Sequence, residues 1–334
     1  MKRVFMALVV ITGLLWAPSA CSGETETAVT ERRGVRDKAP PRIYEALSNH
    51  NRNVASSVEL VFIEGLQWRG RSELTVAFNG GDQAAYRLIE EAVRDWTGNS
   101  SRFKFEFKDA AGAYRTWSDT DTAPAADIRI GFATQGDESG YWSALGVTAD
   151  QVKAHKSTMN LDDISDDIVR ENFASRPRAW SRSYSRGTVL HEFGHALGLS
   201  HELFHPDCQA DLIFEPEEGY KPDYAADGSY KQDVQGRSPG AYLYMQGPPN
   251  EFGAGDALFA LNWRYYSALT REEDQRAGGM GQPSPAVDKN SIMLYDMPAF
   301  IFKSGANSKC LISTPTISLS QGDRAFFDNF YNTP

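Results

Sequence analysis

The chain lacks any surplus of positive charge: 34 Lys and Arg stand against 44 Asp and Glu, a formal net charge of -10. That excludes the broad basic surface needed to hold a phosphate backbone, so no nucleic-acid partner is expected. One local exception is RPRAWSRSYSR (Arg176–Arg186), where arginines alternate with aromatics. It follows the acidic run LDDISDD (Leu161–Asp167), and ion pairing or solvated faces account for it better than nucleic acid. Long apolar runs are missing too. The nearest, Val4–Trp16, is too short to span a bilayer comfortably, so no transmembrane segment is expected. Lys2 and Arg3 precede it and Ala17, Ser19, Ala20 and Ser22 follow, the pattern of an export signal over residues 1–22. The mature protein is therefore expected outside the cytoplasm, secreted, as a soluble monomer.

Cysteine is scarce, with three in 334 residues. Cys21 is a candidate lipid anchor, although Pro18 stands where a lipoprotein signal usually has Leu. Once Cys21 is removed or lipidated, Cys208 and Cys310 remain, and an even pair in an exported chain favours a disulfide over two buried thiols. Internal repeats and calcium-binding glycine-rich nonapeptides are absent.

What is present reads as one domain over residues 71–334, preceded by a polar, irregular stretch over 23–70. KAPPR (Lys38–Arg42) breaks that stretch, which reads as a linker or pro-segment that adds nothing to the core. ELTVAFN (Glu73–Asn79) is strand-like, and GGD (Gly80–Asp82) supplies a turn and a helix cap. The next residues place Tyr86, Ile89, Val93 and Trp96 on one helical face, ended by Gly98. RFKFEFK (Arg102–Lys108) alternates strictly, as a half-buried strand does. ADIRIGF (Ala126–Phe132), GYWSALG (Gly140–Gly146) and TMNL (Thr158–Leu161) are further strand candidates. A helix is expected around Ala254–Leu269. Near the end, Ser320 or Asp323 could cap a helix with a stripe of Phe326, Phe327, Phe330 and Tyr331.

Four of the six histidines fall within LHEFGHALGLSHELFH (Leu190–His205). Helical residues turn about 100° each, so His191 and His195 share a face about 6 Å apart along the axis. Both can present an imidazole nitrogen to one cation, with Glu192 next to them as a general base. A continuing helix would carry His201 away. Gly198 allows an escape, because without a Cβ it can take positive φ and reverse the chain. Three neutral imidazoles leave a fourth zinc position for water, the mark of a catalytic site. His205 is followed by Pro206, and a fourth histidine ligand would close that position. It is expected to be a partly exposed rim residue.

HEFGHALGLSH resembles the extended motif of the metzincin metallopeptidases. Glu202 after the third histidine marks the astacin branch, and SIMLYDMPAF (Ser291–Phe300) resembles its Met-turn. The resemblance spans most of Gln67–Tyr331. It implies one catalytic zinc ion on His191, His195 and His201, Glu192 as catalytic base, and Met293 as an apolar floor. Tyr295 would be a mobile fifth ligand that stabilises the oxyanion, and proteins or peptides would be the substrates. The implied fold class is α+β: a twisted mixed sheet and a zinc-binding helix above the cleft, with a mostly irregular lower subdomain and a C-terminal helix below. GYWSALG resembles the strand on which an extended substrate pairs, with Trp142 either in the core or against that substrate. Leu294 stands where the family carries a polar residue, and the gap from His201 to Met293 implies an insertion. FNGGD (Phe78–Asp82) mimics the family's inhibitory aspartate segment but fits better as a helix cap. The alternatives are an exported protein that keeps zinc only as a staple, disfavoured by Glu192 and Tyr295, or another metzincin branch, disfavoured by Glu202.

Overall fold

The computed structural model describes residues 65–98, 102–248, 250–261 and 286–332. The expected export signal, Cys21, most of the 23–70 stretch and the far half of the helix expected around Ala254–Leu269 lie outside them.

The architecture is α+β. Five strands, β1 (Glu73–Phe78), β2 (Lys104–Glu106), β3 (Ile128–Gly131), β4 (Tyr141–Ser143) and β5 (Met159–Leu161), form one mixed sheet in the order β2-β1-β3-β5-β4. Neighbours run parallel except β4, which lies antiparallel to β5 at one end of that order. The phenylalanine ladder is shorter than its alternation suggested. The strand itself covers only Lys104–Glu106, with Lys108 in an isolated bridge to Tyr114, while Phe103 and Phe107 on either side are buried. Trp142 on β4 is buried completely, which makes it core and not a substrate contact.

Helix α1 (Gln83–Thr97) starts at Asp82, whose carboxylate accepts the Ala84 N–H at 2.7 Å, and stops at Gly98. Its buried face includes Tyr86, Ile89, Val93 and Trp96, as the spacing requires. Two short helices follow, α2 (Ile164–Arg170) and α3 (Pro177–Trp180), in the charged stretch that showed no clear period. Its charges pair within the fold: Arg170 with Asp167, and Arg186 with Asp95 at 2.7 Å. Then comes α4 (Tyr184–Ala196), the histidine helix, capped by Ser183 and buried on nearly every side. It packs on α1, and the Trp96 indole N–H donates to the Leu190 carbonyl at 3.0 Å. A helix sunk this deep has no polar face to spare, so each of its polar residues must be accounted for.

The segment read as linker reaches into this core. Leu66 and Trp68 are buried, and the Trp68 indole N–H donates to the Ala196 carbonyl at 2.8 Å. Tyr331 does the same for Leu197 at 2.7 Å. Helix-end carbonyls lack intrahelical partners, so these two side chains close the C-terminus of α4. A polar, irregular flank gave no period from which that packing could be read.

Below the sheet lies a second apolar cluster, with Leu203, Leu212, Tyr244, Met245, Tyr295, Met297, Ile301 and Phe302 buried in it. The stretch after the histidines is less irregular than expected. It carries α5 (Pro206–Asp211) and α6 (Gly240–Gln246), each too short to show a helical repeat in sequence, besides α7 (Ala254–Leu261), the described part of the helix expected around Ala254–Leu269. Residues 212–239 between α5 and α6 do run without helix or named strand. Cys208 on α5 is bonded to Cys310, 102 residues on, with Cα atoms 5.6 Å apart. Finally α8 (Gln321–Phe327) begins at Ser320, and both sequence candidates act there: the Ser320 hydroxyl accepts the Asp323 N–H while the Asp323 carboxylate accepts the Ser320 N–H.

Candidate metal centre

The first two histidines of the motif leave α4 one turn apart, as helical spacing dictates. The third arrives through the chain reversal. Gly198 has φ 96°, its N–H donates to the His195 carbonyl at 2.8 Å, and the Leu199 N–H donates to the Gly194 carbonyl at 3.0 Å. This paired closure is a Schellman motif, and the positive φ at its centre is cheap only for glycine. The chain then turns extended at His201. Ligand atoms of His191, His195 and His201 all lie within 4.8 Å of one another, with His195 Nε2 and His201 Nε2 2.9 Å apart. His195 and His201 are buried and His191 is half-buried, so the cluster opens toward solvent at His191.

Two rings are held from behind. His191 Nδ1 lies 2.8 Å from the Ile292 carbonyl, and His195 Nδ1 lies 2.8 Å from the Leu199 carbonyl. A carbonyl can only accept, so each Nδ1 carries the proton and each Nε2 keeps its lone pair for a cation. That is the usual support of a metal-binding imidazole. Tetrahedral zinc holds nitrogens at about 2.0–2.1 Å, hence about 3.3 Å from one another; the 2.9 Å between His195 Nε2 and His201 Nε2 lies near that spacing, and all three ligand atoms stay within 4.8 Å. The residues present fit zinc.

Tyr295 reaches the same point. Its hydroxyl stands 2.7 Å from His201 Nε2, and the two rings are 4.2 Å apart. Glu192 is buried on α4 next to His191. Met293 packs beneath, so close to α4 that a Cβ on Gly194 would lie 2.5 Å from its sulfur. Leu294, read as replacing a polar residue, is buried.

His205 departs from its expected role. It is buried, outside the cluster, and its Nδ1 accepts the Asp207 N–H at 3.1 Å as the cap of α5. Pro206 at the first helical position made that helix start legible in hindsight. Glu202 accepts the Asp288 N–H at 2.9 Å. Burial pushes its carboxyl up to about 8 against that hydrogen bond, with Asp288 and Asp323 adding negative charge nearby.

Sequence reasoning missed the role of Asp323, which accepts the Ser291 hydroxyl at 2.7 Å and the Ile292 N–H at 2.9 Å. The S-x-x-D spacing from Ser320 announced a helix start. Nothing in it announced contacts to a turn some thirty residues earlier.

The described residues thus bring together three histidines that could hold one metal ion, with a buried glutamate and a tyrosine hydroxyl at hand. No protein-family profile matches the chain, and neither does any curated protein sequence. Among solved structures, it is similar to that of myroilysin, at 21% identity and a TM-score of 0.47, covering 82% of this chain and 98% of that one. A second, crystal structure of myroilysin aligns at 20% identity and a TM-score of 0.42, covering 90% and 100%. A third is high choriolytic enzyme 1, a hatching enzyme zinc-protease from Oryzias latipes (medaka fish), at 14% identity and a TM-score of 0.39, covering 80% and 96%.

Proposed function

We propose that this chain is an exported zinc endopeptidase of the metzincin clan, in its astacin branch. The observation that carries the reading is the convergence of three imidazoles and the Tyr295 hydroxyl on one point. A buried glutamate follows the first histidine, and neither it nor the tyrosine is needed merely to hold a metal. The Cys208–Cys310 bond supports export, because such bonds persist in oxidising compartments.

His191, His195 and His201 would hold the ion. Zinc, when bound, supplies a Lewis acid that activates water toward a peptide carbonyl. Glu192 takes one proton from that water as its oxygen bonds to the carbonyl carbon. The Tyr295 hydroxyl donates a hydrogen bond to the developing oxyanion, where a fixed donor counts most. Glu192 then returns the proton to the amine nitrogen as the C–N bond breaks. An extended peptide would lie along β4, which stands at one end of the strand order among the described residues. Export would be directed by residues 1–22, and the catalytic domain would span 71–334 with Leu66–Trp68 packed against it.

Casein cleavage by the purified chain, with and without chelator, tests the proposal. Activity is expected only in the metal-loaded protein. A wild type no more active than Glu192→Ala would refute it.

A further inference from the structure

We infer that Asp323 is a positioning residue for the metal centre, acting through the Met293 turn on His191. The inference rests on the zinc reading above but concerns a residue that the proposed chemistry never touches. Asp323 sits fully buried in the first turn of α8. One bond it makes, to the Ser320 N–H at 2.8 Å, is ordinary capping. The other two are not. Its Oδ1 accepts the Ser291 hydroxyl at 2.7 Å and its Oδ2 accepts the Ile292 N–H at 2.9 Å, both reaching back across the fold.

Ile292 faces two ways. Its N–H is held by Asp323, and its carbonyl receives His191 Nδ1 at 2.8 Å. One residue on, the Met293 carbonyl receives the Glu202 N–H at 2.9 Å, next to His201. Two of the three candidate ligands therefore take their bearing from a short piece of backbone that one buried carboxylate grips. Three donors converge on that carboxylate, and only a group that accepts at both oxygens satisfies them all. An amide of the same shape keeps both backbone donors only with its NH2 toward Ser291, whose hydroxyl must then accept instead of donate, on top of the Met293 N–H it already accepts at 3.1 Å, and the turn would have to shift. Because packed ligand shells are rigid, such a shift reaches the Nε2 of His191.

The test compares full-length wild type with Asp323→Asn and Ser320→Ala. Zinc Kd is measured by competition with a chromophoric chelator, and the thermal midpoint is measured on metal-free protein. Asp323→Asn is expected to raise the zinc Kd about 10- to 100-fold, the usual cost of disturbing an outer partner of a ligand. Ser320→Ala disturbs the same helix end without touching the turn. It is expected to lower the midpoint and leave the Kd unchanged.

A wild-type Kd in Asp323→Asn overturns the inference, as does equal zinc weakening by Ser320→Ala at an equal loss of midpoint. Should Asp323→Asn not fold, Ser291→Ala removes one of the two contacts to the turn. A smaller but measurable rise in Kd is then expected, and an unchanged Kd again overturns the inference. A wild type that binds no zinc would instead sink the peptidase reading itself, so the two failures are distinguishable.

Discussion

A methyl group on Gly194 would stand 2.5 Å from the Met293 sulfur and 3.1 Å from the Trp96 ring. No rotamer of a packed core relieves contacts that short, so Gly194→Ala should lose about 1–3 kcal/mol, the ordinary cost of overpacking. Denaturant melts check this, and an unchanged midpoint would mean that Met293 is free to move. Tyr295→Phe removes only a hydroxyl. If that hydroxyl serves the oxyanion, kcat should fall about 100-fold or more with KM little altered. If it only props His201, zinc affinity would fall and kcat of the loaded enzyme would not. At this scale the sequence was most legible where spacing alone does the work: His191, Glu192 and His195 follow from one helical turn. It was least legible where a residue acts at a distance. His205 looked like a rim residue because its partner, the Asp207 N–H, is a backbone group that no side-chain pattern reveals.

The ends of α4 decide what it can hold. Its C-terminus closes through Gly198 at φ 96°, and a Cβ there adds strain in a region L side chains rarely enter. Gly198→Ala should therefore cost at least about 1 kcal/mol and weaken zinc binding, because the strain falls between His195 and His201. Strands and α1 were readable because each has a period and a turn signal beside it. Helices α5 and α6 span fewer than two full turns, so tertiary packing and not periodicity makes them helical. In the irregular stretch between them, one carboxylate does the work of an element. Burial alone would raise Asp233, but the N–H groups of Arg237, Lys221 and Gln235 and the Arg237 side chain outweigh it and hold the group down to about 2. A depressed carboxylate stabilises the fold above its ordinary value of 3.8 and loses that contribution as pH falls from there toward 2. Limited proteolysis should accordingly find residues 220–238 protected at neutral pH and cut progressively sooner as pH drops below 4. Asp233→Asn should be cut early at every pH, and equal protection in that variant would remove the carboxylate from the account.

At the scale of the molecule, two apolar clusters among the described residues meet at the candidate metal centre. The sheet cluster holds Met293 and the residues of α4 around His191 and His195, whereas Tyr295 and Leu203, flanking His201 in space and sequence, belong to the lower cluster. The disulfide ties the lower cluster within itself, from α5 to Cys310, and does not cross to the sheet. A bound ion would cross, because its ligands come from both sides. Metal that binds only the folded chain stabilises it by roughly 2.7 kcal/mol when present at a hundred times its Kd. In a domain of this size each kcal/mol moves Tm by about 2–4 °C, so chelation should lower Tm by roughly 5–10 °C. The loss should not be uniform. With the crossing gone, amide exchange should rise first among residues of the lower cluster, while β1, β3 and α1 keep their protection. Reducing the disulfide should act on the same half and add to the effect of chelation, at a cost on the order of 2–5 kcal/mol. Chelation that strips the metal yet leaves both Tm and exchange unmoved would mean that the two clusters are joined by packing alone, with His201 held in place by the Schellman turn and by the Glu202 N–H on Met293.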